Sequence, residues 1–183
     1  MYMNNNIYIA NSLGLNILST ISNIVIEQPV FSYLDNSSVY DINISDNKLL
    51  IASEIGLFRY DYQLNTVGKI ADDKYFKIVT DKNNNFIASR RNRLYKISNN
   101  RELLFSSEKI KNISICDDYV WINNIHEATI LNLKNNKIVI YNQADGIIGD
   151  RINHLDCDDS WVWFSTNKGI SMYNWSRYHY HEE

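Results

Sequence analysis

His126 and Glu127 stand side by side in the polar stretch Asn123-Asn-Ile-His-Glu-Ala128. An imidazole next to a carboxylate can begin general acid–base chemistry, but it needs another acid or base within hydrogen-bond reach to work on a bond. The remaining histidines, His154, His179 and His181, show neither HExxH spacing nor a Ser/His/Asp order, so they nominate no zinc site and no nucleophile. Asp46, Asp81, Asp117 and Asp158 recur at regular intervals, with Asp118 and Asp159 doubling two of them. Recurring carboxylates could suit a hard cation, yet one per repeat leaves neighbours too far apart to share an ion, and turn roles are expected instead. Cys116 and Cys157 form no Cys-x-x-Cys or paired Cys/His pattern. They are expected to be small buried side chains, not a disulfide framework. No catalytic residue, metal or cofactor is expected.

These residues are carried on an internal repeat. The segments Asn6-IYIANSLGLNIL, Lys48-LLIASEIGLFRYD, Asn85-FIASRRNRLYKIS, Tyr119-VWINNIHEATILNL and Trp161-VWFSTNKGISMYN superimpose as strand, tight polar turn, strand. Anchored on Ile9, Ile51, Ile87, Ile122 and Phe164, they are spaced by 42, 36, 35 and 42 residues, the length of a propeller blade and of several helical repeats. Short β-rich runs separated by turn residues, without sustained helical periodicity, exclude the helical repeats. A further strand ends just before each recurring aspartate (YDINIS, FKIVT, NISIC, INHLDC), and a fourth follows each hairpin (SNIVIEQ, NTVGKI, ELLFSS, KIVIYN, RYHYHE).

The expected fold is therefore an all-β propeller of four-stranded antiparallel blades, lettered A to D from the inside outward. Blade units run over 1–30, 31–71, 72–107, 108–143 and 144–183 of a single region without an internal boundary. The first unit lacks an A strand on the sequence, giving about four complete blades and one partial. This suggests a piece of a larger, seven-bladed ring whose missing blades lie upstream; a closed five-bladed ring is the alternative. B strands such as LLIA and WVWF are apolar on both faces, as blades sandwiched between neighbours require.

Composition agrees. Tyr, Ile and Val are plentiful, which suits pleated, half-buried surfaces. With six Gly and one Pro, most turns fall to Asn, which tolerates left-handed backbone. Gly14, Gly56 and Gly169 recur just before the C strand; Asn92 is the expected left-handed substitute in the third unit, and His126-Glu127 implies a longer turn in the fourth. Eighteen basic against 21 acidic residues, scattered and summing to −3, invite neither a nucleic acid backbone nor an anionic membrane. No apolar run approaches the roughly 20 residues that span a bilayer, and the start MYMNNNIYIA lacks a secretory pattern. Taken alone, the chain is expected to stay soluble where it is made.

The stretch Asp145-GIIGDRINHLDCDDSWVWFSTNKGISMYNW resembles the two-component regulator propeller repeat, matching at Asp145, Gly146, Ile147, Ile152, Asp158, Trp163, Phe164, Ser165, Thr166, Gly169, Ile170 and Tyr173. The second unit matches at Asp46, Ile51, Ala52, Ser53, Gly56, Leu57, Tyr60 and Asp61, and the first at Ile9, Ala10, Gly14 and Leu15. The third and fourth units are degenerate, and neither a kinase nor a membrane helix is in this chain. The resemblance implies a periplasmic or cell-surface sensor propeller of Bacteroidetes type, continuous with further blades, whose ligand is an oligosaccharide or a protein.

Propeller ligands sit where B–C and D–A loops converge. The charged residues on those predicted turns are Glu54, Arg90, Arg91, His126, Glu127, Asp150, Arg151 and Lys168. A ligand-binding module with no enzymatic activity is the first reading. A lyase or glycan-cleaving enzyme using His126 and rim carboxylates is the second, and a protein-docking scaffold the third.

Overall fold

The computed structural model describes residues 1–179. Two compact units, Met1–Ile78 and Val79–Glu183, divide the chain, the division falling inside a strand.

In the first unit, β1 (Tyr2–Met3), β2 (Asn6–Asn11), β3 (Gly14–Ser19) and β4 (Val25–Ile26) form one antiparallel sheet in chain order. After a 3₁₀ turn over Pro29–Leu34, β5 (Val39–Ser45), β6 (Lys48–Ser53), β7 (Gly56–Asp61) and β8 (Thr66–Ala71) form the second. The first hairpins of both sheets turn on left-handed pairs, Asn4-Asn5 (φ +50 and +59) and Asp46-Asn47 (φ +48 and +57). Two successive positive φ values give the primed turn whose twist matches that of its strands, so Asn and Asp do here what glycine does elsewhere. Gly56 is irreplaceable for two reasons: its φ is +148, and a Cβ on it would lie 2.5 Å from the Ala71 carbonyl oxygen.

The second unit holds β9 (Lys77–Thr80), which begins at the division, with β10 (Phe86–Arg90), β11 (Arg93–Ile97) and β12 (Arg101–Ser106) as the third sheet. The fourth comprises β13 (Asn112–Cys116), β14 (Tyr119–Asn123), β15 (Ala128–Asn132) and β16 (Ile138–Tyr141). The fifth has β17 (Ile152–Cys157), β18 (Val162–Thr166) and β19 (Gly169–Tyr173), followed by helix α1 (Trp175–His179).

Burial follows the two-residue period of a strand in both directions at once. Along β14, Tyr119 and Trp121 enter one core with Ile147, Leu155, Val162, Phe164 and Trp175, whereas Val120 and Ile122 enter another with Val79, Ile87, Leu94 and Ile113. The first three strands of the fourth sheet are thus buried on both faces, while β16 at its outer edge exposes Ile138 and Ile140. In the first unit Tyr8 and Ile17 meet Val39, Leu49, Ile51, Phe58 and Tyr60 between the first two sheets. Each large side chain buried in this way contributes roughly 1.5–3 kcal/mol.

Four sequence expectations need correction. The short sheet is the fifth: Tyr2–Met3 supplies a brief fourth strand to the first sheet, while the segment RYHYHE gives no strand within the described residues. Residues 177–179 belong to α1 instead, where Asn174 Oδ1 accepts the Arg177 N–H and Trp175 Nε1 donates to the Asp158 carbonyl. His179 is buried, its Nε2 sharing a hydrogen bond with Tyr141 Oη at 2.9 Å; His181 lies outside the described residues. Asn92 is not left-handed, because the β10–β11 hairpin closes tightly at Arg90↔Arg93 without positive φ.

The cysteines provide the fourth correction. Cys116 and Cys157 form a disulfide with Cα atoms 6.1 Å apart. They occupy the same position on the first strands of consecutive sheets, and those strands run side by side. Asn112 Nδ2 donates to the Leu155 carbonyl at 2.7 Å, and Ser114 Oγ donates to Asp156 Oδ1 at 2.7 Å. The first unit repeats this bracing: Asn43 Nδ2 donates to the Ile78 carbonyl, and Asp41 accepts the Ile78 N–H. Asp81 and Asp158 close Asx turns as expected, each accepting two backbone N–H groups on Oδ1.

Candidate functional site

The β14–β15 hairpin breaks the pattern of its neighbours, and the break is local chemistry. Pairing ends at Asn123↔Ala128, leaving Asn124-Ile-His-Glu127 as the loop. Asn124 Oδ1 accepts the N–H groups of His126 and Glu127, each at 2.8 Å, and its Nδ2 donates to Glu127 Oε2 at 3.2 Å. One asparagine therefore fixes both the backbone and the carboxylate.

This loop meets the connection leading into the fifth sheet. His126 Nδ1 donates to the Asp150 carbonyl at 2.6 Å, and the Ile152 N–H donates to the Ile125 carbonyl at 2.8 Å. The β18–β19 hairpin closes the group from the other side. Asn167 Nδ2 donates to Asp150 Oδ1 at 2.8 Å, and Asn167 also exchanges hydrogen bonds with the Arg151 backbone. Thr166 sets that hairpin, its hydroxyl donating to the Gly169 carbonyl and accepting the Lys168 N–H. Its repeat counterpart Ser53 acts in the same way on Gly56 and Ile55.

His126, Glu127, Asp150, Arg151 and Lys168 thus come together on one edge of the fourth and fifth sheets. The Asp150 carboxyl is held below its ordinary range, first by the Asn167 amide, then by its own backbone N–H and, more weakly, by the nearby Lys168 and His126, against a small opposing effect of burial. The result is a mixed-charge, solvent-facing cluster held by backbone and amide hydrogen bonds. His126 is tied to a main-chain carbonyl and Glu127 to an amide. Glu127 has no second acid or base hydrogen-bonded to it among the described residues.

Arg91 lies further along this edge. Its carbonyl accepts the Ile110 N–H, and the same connection presents Ser107 Oγ to Asn124 Nδ2 at 3.5 Å. Arg90 ends β10 beside it, half-buried. Glu54 belongs to the first unit, where it pairs with Lys74 at 3.3 Å. Sequence reasoning missed Asn124 and Asn167, the two amides that hold the cluster; the abundance of Asn was legible, but as turn chemistry only.

Across 94% of its length the chain superimposes on the β-propeller domain of Swd1 from Myceliophteria thermophila, with a TM-score of 0.69, 11% identity and 67% of that chain covered. The fold is a β-propeller. Its sheets are blades 1 to 5, and the cluster sits on the rim of blades 4 and 5. The propeller is also similar to the extracellular domain of a one-component system from B. thetaiotaomicron, with a TM-score of 0.75 and 14% identity, over 93% of this chain and 26% of that one. For the extracellular domain of a hybrid two-component system from the same organism the TM-score is 0.68 and the identity 18%, over 92% and 25%. The chain therefore spans about a quarter of the length of these extracellular domains. No protein-family model and no curated protein sequence matches it.

Proposed function

We propose that this propeller is the recognition module of a bacterial cell-envelope sensor, binding an oligosaccharide or protein ligand, without enzymatic activity, on the rim of blades 4 and 5. One observation carries the reading: the B–C loops of both blades and the connection between them converge on Asp150, presenting an imidazole, two carboxylates and two cations within a braced frame. Planar charged and amide groups on rigid loops suit polyhydroxylated or charged ligands, because little ordering entropy remains to be lost on binding.

Two further features support the setting. The Cys116–Cys157 disulfide suits an oxidising compartment such as the periplasm or cell surface. Tyr2, Ile9 and Val25 on blade 1, and Trp163, Ile170 and Met172 on blade 5, are 40–67% exposed, whereas the first three strands of blade 4 are buried on both faces. Additional blades of a longer polypeptide would cover these surfaces.

The reading is tested with an oligosaccharide and peptide array probed with the wild-type chain and with an Arg151→Ala/Lys168→Ala variant. Saturable binding lost in the variant is the expected result. Binding that survives it, or turnover of a bound glycan, overturns the assignment.

A further inference from the structure

Tyr141 ends β16, Tyr173 ends β19 and His179 ends α1, and the fold of the second unit brings their polar atoms into one triangle. Tyr141 Oη lies 2.9 Å from His179 Nε2 and 3.2 Å from Tyr173 Oη, and the third edge, Tyr173 Oη to His179 Nε2, is 3.4 Å. With Nε2 as the acceptor, the two phenol protons serve two edges and leave the third without one. Two oxygens and one nitrogen that can each donate a lone pair therefore meet at a point. An ion about 1 Å out of their plane would lie about 2.0–2.1 Å from all three, the length of ordinary metal–imidazole and metal–oxygen bonds.

The triangle is held from outside. Tyr119 Oη donates to the His179 carbonyl at 2.6 Å, and Trp175 Nε1 fastens α1 to the Asp158 carbonyl at 2.9 Å. Trp121 packs on Tyr141 and Tyr173, its ring centroid 6.1 and 6.2 Å from theirs, and Tyr178 stacks on Tyr173 at 5.5 Å. His179 is buried, whereas Tyr141 and Tyr173 are half-buried. Such supporting contacts orient a metal ligand before the metal arrives, and the two phenols leave the triangle within reach of solvent.

The donor set selects the ion. Phenolate oxygens are hard anionic ligands, and imidazole accepts iron. The two cysteines are joined to each other, so no thiolate competes for a softer metal. Phenols are protonated at neutral pH, and attraction that grows with ionic charge makes a trivalent ion the one best able to displace both protons.

We infer that Tyr141, Tyr173 and His179 form a ferric-ion site, three ligands gripping one side of the ion. Binding exchanges the two phenol protons for the cation, both protons passing to solvent, and the opposite side of the ion stays open to water or to an oxygen-rich ligand. The site uses no residue of the blade 4 and 5 rim and stands or falls apart from it.

The metal-free full chain titrated with ferric nitrilotriacetate in air provides the test, read by visible absorption and by iron retained per chain after desalting. Equimolar iron with a phenolate-to-iron charge-transfer band is expected. Tyr141→Phe and Tyr173→Phe each keep the ring and delete only the ligand oxygen; each should weaken binding at least about tenfold, and the double variant should lose the band. Tyr62→Phe, at an exposed tyrosine of the first unit, should change neither readout. Circular dichroism checks that each variant is folded, and the wild-type titration decides the matter even where one is not. No band from the wild type at saturating iron, iron retained without colour, or a band that survives in the folded double variant would overturn the site.

Discussion

Cys116 and Cys157 are repeat equivalents, 41 residues apart in sequence and joined across the first strands of blades 4 and 5. The bond staples neighbouring blades at the ends of their first strands, β13 and β17, and closes a loop of one full repeat. Chain-entropy reasoning gives such a loop about 4 kcal/mol of stabilisation. Urea denaturation with and without reductant should show a loss of up to that size, with β-sheet circular dichroism retained below the transition. The Cys116→Ser/Cys157→Ser variant should match the reduced protein and ignore reductant. Equal midpoints for the wild type in both conditions would show that the staple is not formed.

Asp81 offers a pH-dependent test. Burial raises its carboxyl, but the Asn85 amide, the backbone N–H groups of Asn85 and Asn83 and the Lys96 charge together hold it below its ordinary value. Because the folded state binds the proton less tightly than the unfolded one, this stabilisation is complete above the unfolded pKa of about 4 and fades as pH falls through the folded value. Asp81→Ala should cost about 1–3 kcal/mol at neutral pH through its orphaned donors and less in acid. A cost independent of pH would contradict this.

The two-faced burial of β14 makes an alternation prediction. In a sheet with one wet face only every second residue would matter, yet Val120 and Trp121 are both fully buried. Val120→Ala should cost about 2 kcal/mol and Trp121→Ala about 3–5 kcal/mol. Denaturant melts in which either change is silent would leave blade 4 with a free face.

Gly56 and Gly68 separate strain from mere flexibility. Gly56→Ala places a methyl against the Ala71 carbonyl in a left-handed conformation and should cost about 1–3 kcal/mol. A methyl group added at Gly68 would meet nothing within 4 Å, so Gly68→Ala should be neutral or slightly stabilising. Thermal melts of the two variants check the contrast.

Most of the fold was legible because blade burial writes itself into the B strands of blades 2 and 4: LLIA and YVWI are apolar at consecutive positions and buried at each, as a sheet covered on both sides requires. The disulfide was in reach as well. Cys116 and Cys157 share a repeat position, and equivalent positions on consecutive first strands are spatial neighbours; each fact was visible, but only joined do they imply a bond. The helix at Trp175–His179 was hidden because RYHYHE alternates like a strand, and only the burial of Trp175 and His179 against Tyr119 and Tyr141 decides otherwise. The candidate charges other than Arg90, which ends β10, lie in loops, but the grouping of those on blades 4 and 5 depends on Asn124 and Asn167, whose side-chain hydrogen bonds follow from tertiary approach and carry no periodic signal.

The recognition rim is tested most directly by amide chemical-shift mapping of the chain with oligosaccharide and peptide hits from the array. The account predicts perturbations concentrated at residues 124–127, 150–151 and 167–168, abolished by His126→Ala together with Asn167→Ala. Saturable binding whose perturbations fall outside those three loops would contradict it.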